Sequence, residues 1–111
     1  MSIGGNAVRA TLSSTLSTLY TVPNGKKYEI RSITVVNRDE KLDAKWWLYL
    51  VASGGTAGDS NVLIPGTSQW SVPAGQNIDY DTWKVLTAAQ MIQGYASGSV
   101  TLHIDGALVD A

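Results

Sequence analysis

One histidine, His103, occurs in the 111 residues, so no two-histidine metal site can be built within a single chain. It stands on the polar phase of Val100-Thr101-Leu102-His103-Ile104-Asp105, the place of a strand residue that faces water. Cysteine is absent, which removes disulfides, thiolate zinc sites and cysteine nucleophiles. No Gly-x-Ser-x-Gly turn lifts a serine out as a nucleophile. Asp79 and Asp81 share one face of a strand, about 7 Å apart by strand geometry. That spacing suits a carboxylate pair or a calcium ion. No further ligands stand at loop spacing beside them, and a solvated strand face is the simpler reading. The sequence thus assigns no catalytic residue, no metal ligand and no cofactor, and the chain reads as non-enzymatic.

The aromatic residues are more informative. Phenylalanine is absent, and four tryptophans and five tyrosines carry the aromatic volume. Adjacent Trp46 and Trp47 point to opposite faces of a strand, so at most one enters a given core. Trp70 lies between two turns and Trp83 at a strand end. An exposed indole stacks on a sugar ring or anchors a subunit interface. Trp46, Trp47, Trp70 and Tyr80 are therefore interface candidates, and the same rings are the candidate platforms for a surface glycan.

The elements that must position these residues read as strands. Residues 17–37 organise the chain as two strands joined at Val22-Pro23-Asn24-Gly25. Proline presets the second turn position and glycine takes a positive φ after it, which predicts a type I turn with a glycine bulge in a hairpin. Along the second strand Tyr28 and Ile30 share one phase, whereas Ile33 and Val35 share the other. The phase change at Arg31-Ser32 implies a bulge, in a strand that bends as a sheet folds over into a sandwich. A second turn, Val72-Pro73-Ala74-Gly75, repeats the pattern [S/T]-V-P-x-G-x-x-φ-acid fifty residues on. It suggests equivalent hairpins at related corners, with Pro23, Gly25, Pro73 and Gly75 as the structural turn residues.

Arg38-Asp39-Glu40-Lys41-Leu42-Asp43-Ala44-Lys45 reads as a solvated, mixed-charge loop tip. Trp46-Trp47-Leu48-Tyr49-Leu50-Val51 is apolar on both phases, as in a strand covered on both faces. Thr87-Ala88-Ala89-Gln90 has the form of a capping box opening one helical turn. About seven or eight short strands with turn signals between them predict an all-β fold, a single antiparallel sandwich of jelly-roll or immunoglobulin-like type. Residues 1–16 lack clean alternation and read as an extended arm ahead of a sandwich at 17–111. Within the arm Ile3, Val8, Leu12 and Leu16 are too apolar for a free linker, and are candidates for docking on a neighbour.

Charged residues make up 15% of the chain and the net charge is −1, with no basic block, so nucleic acid is not an expected partner. Low charge with much Ser, Thr and Gly fits a surface partly covered by other subunits. The N-terminus lacks the pattern of a secretory signal. No apolar run approaches the roughly 20 residues that span a bilayer, and the chain is expected to assemble in a cytoplasm without membrane insertion.

Four stretches together resemble small virion proteins of tailed bacteriophages. They are Leu19-Tyr20-Thr21-Val22-Pro23-x-Gly25, Ile30-x-Ser32-Ile33-x-Val35-x-Asn37, Val72-Pro73-Ala74-Gly75 and Ser97-Gly98-Ser99-Val100-Thr101-Leu102-His103-Ile104. The likeness covers roughly residues 18 to 108. It implies a β-sandwich that decorates a head or serves as a fibre or tail accessory subunit, located in the virion. The implied partners are copies of itself, with a trimer favoured, and a major capsid or tail protein. Where those proteins commonly carry a Gly-Asp turn, this chain has Ala88-Ala89-Gln90. The alternative function is a glycan-binding sandwich used in host recognition.

Overall fold

A computed structural model describes residues 4–67 and 70–111, with side chains from residue 7 onward. Eight strands run in order: β1 (Gly4–Leu12), β2 (Ser17–Thr21), β3 (Lys26–Asn37), β4 (Trp46–Val51), β5 (Val62–Pro65), β6 (Asn77–Leu86), β7 (Met91–Ala96) and β8 (Val100–Asp110). They form two four-stranded antiparallel sheets, β1-β8-β3-β6 and β2-β7-β4-β5. Strand pairs 1·8, 2·7, 3·6 and 4·5 mean that the chain is folded in half about the β4–β5 loop and then rolled up. The sandwich is a jelly roll, the first of the two architectures expected.

Alternation explains which side chains meet between the sheets. Tyr28, Ile30, Ile33, Val35, Leu102 and Ile104 of the first sheet are fully buried against Trp46, Leu48 and Ile92 of the second. The phase change in β3 is a bulge. Its pairing shifts register between Ile30 and Ser32 against both β6 and β8, so Arg31 is passed over and Ile33 returns to the core side. Gly106 of β8 pairs with Ile30, and the Tyr28 ring reaches diagonally over the glycine. A Cβ there would lie 2.3 Å from the Glu29 carbonyl oxygen and 2.7 Å from Tyr28 Cζ, so only glycine lets the tyrosine fill that space.

Three expectations are corrected. Residues 4–12 are not an arm: they pair along β8 from Gly4↔Leu108 to Leu12↔Val100, and Val8 and Leu12 are buried in the core. The cause is non-local: alternation already puts Val8 and Leu12 on one side, but only pairing with β8 turns that side to the core. The Val-Pro-x-Gly turns do not close hairpins. Strands β2 and β3 lie in different sheets, and the second turn likewise leads into β6 of the first sheet from Val72, which bridges Ala44 of the second-sheet side. The turns are also framed one residue later than predicted: Lys26 N–H donates to Pro23 O at 3.3 Å and Gln76 N–H to Pro73 O at 3.1 Å. Gly25 (φ 76°) and Gly75 (φ 69°) therefore sit at the third position, as type II turns require.

Finally, Thr87–Gln90 opens no helix. Gln90 N–H donates to Thr87 O and the Gln90 side chain accepts from Thr87 N–H at 2.8 Å. Those are capping-box partners, but Ala89 has φ 67°, a left-handed value that stops helix propagation and makes a third turn of the same form.

Candidate interaction surfaces

The described residues enclose no cavity or cleft, and no group of three or more His, Asp or Glu among them could share a metal ion. Asp79 and Asp81 are both exposed on the outer face of the first sheet, and Asp79 Oδ1 accepts from the Thr34 hydroxyl at 2.6 Å. His103 is half-buried on the same face, directly between Arg9 of β1 and Thr34 of β3. No helix is long and apolar enough to cross a membrane.

The candidate residues divide into three groups. Val8, Leu12 and Trp46 belong to the core of their own sandwich and present nothing to a neighbour, a correction to their reading as interface residues. Trp46 was ambiguous because the strand is apolar on both phases; the fold turns Trp46 and Leu48 inward and Trp47 and Tyr49 outward. The indole N–H of Trp46 finds no hydrogen-bond partner among the described residues. Trp70 and Tyr80 are half-buried against the core, with ring centroids 5.1 Å apart and Tyr80 5.8 Å from Trp46. That chain of rings ties β4, β6 and the β5–β6 connection together. Leu16 is exposed, and Ile3 lies outside the described residues.

Trp47 heads a ladder on the outer face of the second sheet. It stands opposite Tyr95 in register, with centroids 4.5 Å apart and planes within 4°, and Tyr49 continues the stack 6.4 Å from Tyr95. Gly66 closes the other side of the indole: a Cβ at that position would fall 2.0 Å from Trp47 Cε2. The ring faces are consumed by one another, so the second phase of β4 is covered by its own sheet. Burial, and then the hydrogen bond with Tyr95, raise the Tyr49 phenol above its ordinary pKa. A face-on sugar platform at Trp47 would require breaking this stack.

What sequence reading passed over is β6 beyond Tyr80. Trp83 is 68% exposed and Val85 47%, on the outer face of a strand paired with β3 on one side only. Alternation from Asp79 and Asp81 carries Trp83 and Val85 onto the same wet face, and that periodicity was the available signal.

At the end of the sandwich where β3 leaves the first sheet, the mixed-charge loop is tied down rather than free. Asp39 Oδ1 accepts from the backbone N–H groups of Lys41 and Leu42, and Asp43 Oδ1 from that of Ala74 at 3.0 Å. Gly75 N–H donates to Asp39 O at 2.8 Å, and Lys45 pairs with Ser97. The acidic residues thus serve as turn caps for the second Val-Pro-x-Gly corner.

No protein-family description matches the chain, and a search of curated proteins finds no match. Among the solved structures that are similar to it are two chains described as pentameric capsid proteins isolated from metagenomic phage sequences. One is 19% identical and the other 17%, each with a TM-score of 0.43 over 95% of this chain. This chain spans about three fifths of their length, 62% and 61%.

Proposed function

We propose that the chain is a non-enzymatic structural subunit of a bacteriophage virion, a capsid decoration or cement, fibre or tail accessory protein. It works by self-association and by docking to a major capsid or tail protein. The observation that carries this reading is the exposure of Trp83 and Val85 on a free edge strand of a jelly roll whose described residues hold no cleft. Large apolar side chains on an open sheet edge fit contact with another protein surface. Jelly rolls build viral shells among other things, and the turn and strand residues that resemble phage virion proteins are the corners and core of this one.

Mass spectrometry of density-purified particles from the phage or prophage that encodes the chain tests the reading. Stoichiometric recovery in the particle is expected, and absence from particles overturns it.

Jelly rolls also serve as lectins, and Trp83 is an indole whose surroundings leave it open. Quenching or shift of its fluorescence across a panel of host-surface polysaccharides, lost in Trp83→Ala, is the result that favours glycan binding instead.

A further inference from the structure

The two edges of the first sheet are complementary to each other. Its outer-face rows run straight across four strands. One row is Arg9–His103–Thr34–Asp79, with a cation at the β1 edge and an anion at the β6 edge. The next is Ala7–Asp105–Ser32–Asp81, and beyond the bulge comes Gly5–Ala107–Glu29–Val85. Arg9, Asp79 and Asp81 are all exposed, and the ion pairs among the described residues, Lys26–Asp110 and Arg31–Glu29, leave all three out. Size is complementary as well: β1 offers Gly4, Gly5 and Ala7 at the level where β6 carries Trp83 and Val85. The strands match in length at 9 and 10 residues. Because β1 runs antiparallel to β8, β8 to β3 and β3 to β6, β1 also runs antiparallel to β6.

We propose that β6 of one copy pairs with β1 of a second copy of this chain, head to tail, with Arg9 of one against Asp79 and Asp81 of the other. The inference rests on the self-association reading and names its surface. In that register the first two outer rows continue from copy to copy: Arg9 meets Asp79 and Ala7 meets Asp81, while Thr11 meets Asn77 and Gly5 meets Trp83. The small residues of β1 leave room for the Trp83 indole to lie over them. Backbone N–H and C=O groups that each isolated edge leaves without a strand partner then pair across the contact. A heterologous contact of this kind closes into a ring when the rotation allows, and occupying both edges in every copy removes the exposed strand that would otherwise recruit other chains.

The absence of cysteine makes the test clean. Thr11→Cys and Asn77→Cys are introduced singly and together, and each protein is oxidised and run without reductant. Within one chain the two positions are three strand spacings apart, about 14 Å, too far for a disulfide. The double variant should give a ladder of covalent oligomers and each single variant none. Light scattering adds the charge test: Arg9→Glu and Asp79→Arg should each collapse the oligomer to the 11.8 kDa single chain, and the double substitution should restore it. Dimers from either single cysteine variant indicate a two-fold contact and overturn the head-to-tail pairing. An oligomer that forms without the ladder overturns the edge contact while leaving self-association intact. A wild-type protein that stays monomeric at all concentrations overturns both, whereas absence from particles with an intact ladder overturns only the virion role.

Discussion

The side-chain amide of Asn37, at the end of β3, donates to the carbonyl of Val72 at 3.0 Å, linking residues 35 apart in sequence at the corner where the chain crosses between sheets. Its second proton goes to Leu42 O at 2.8 Å, and its carbonyl accepts from Asp39 N–H at 2.9 Å. Asn37 is the buried polar side chain among the described residues, and it holds three backbone groups, the Val72 carbonyl in the interior and the Leu42 carbonyl and Asp39 N–H at its partly buried margin. Asn37→Ala should therefore cost about 1–3 kcal/mol, since it removes three hydrogen bonds and leaves a small void, although Val72 O keeps its bond from Ala44 N–H. Urea unfolding reads this directly; a change under 0.5 kcal/mol would show that water replaces the amide.

The three turns give a prediction of opposite signs. Gly25 and Gly75 have positive φ with open space around them, so alanine at either should destabilise by about 1 kcal/mol through backbone strain alone. The two losses should add, because the corners are far apart. At Ala89 the same backbone is already held by a residue with a Cβ, and Ala89→Gly should stabilise by up to about 1 kcal/mol. Thermal melts of all three variants settle the matter, and a destabilised Ala89→Gly would refute the strain argument.

Burial, followed by the neighbouring Tyr20 and Asp105, pushes the Tyr28 phenol up to about 12. Its unfolded value is near 10, so the folded state holds this proton to higher pH than the unfolded chain does. The contribution is complete below pH 10 and is lost as pH rises towards 12, about 2–3 kcal/mol in all. Stability measured by denaturant between pH 9 and 12 should fall steeply in the wild type and more shallowly in Tyr28→Phe. Parallel curves would mean that other groups carry the alkaline transition.

Strand β1 supplies Val8 and Leu12 to the core, and Leu12 is nearly inaccessible to solvent. Leu12→Ala should cost about 2–4 kcal/mol. Removing residues 2–12 should leave β8 as a bare edge and give a protein that aggregates or fails to fold. A truncated chain that melts like the parent would restore the reading of this segment as a dispensable arm.

Local chemistry accounts for what the sequence determined unaided. The β3 bulge was visible because two apolar residues on each side of Arg31 disagree in phase, and phase is a property of the strand itself. Positive φ at Gly25 and Gly75, and the all-β class, follow from turn chemistry and spacing in the same way. Partner choice was decided only by the tertiary structure. Whether Val22-Pro23-Asn24-Gly25 closes a hairpin or carries the chain to the other sheet depends on β7 and β8, more than sixty residues away, taking the places beside β2 and β3. The same holds for β1, whose weak alternation acquires an inside only when β8 pairs with it, and for Trp46 and Trp47, which are equivalent until one face of β4 meets the first sheet. Hydrogen bonds across a sheet form between groups that the sequence does not place together, so the fold, not the local pattern, decides which apolar residues become core and which, like Trp83, remain outside.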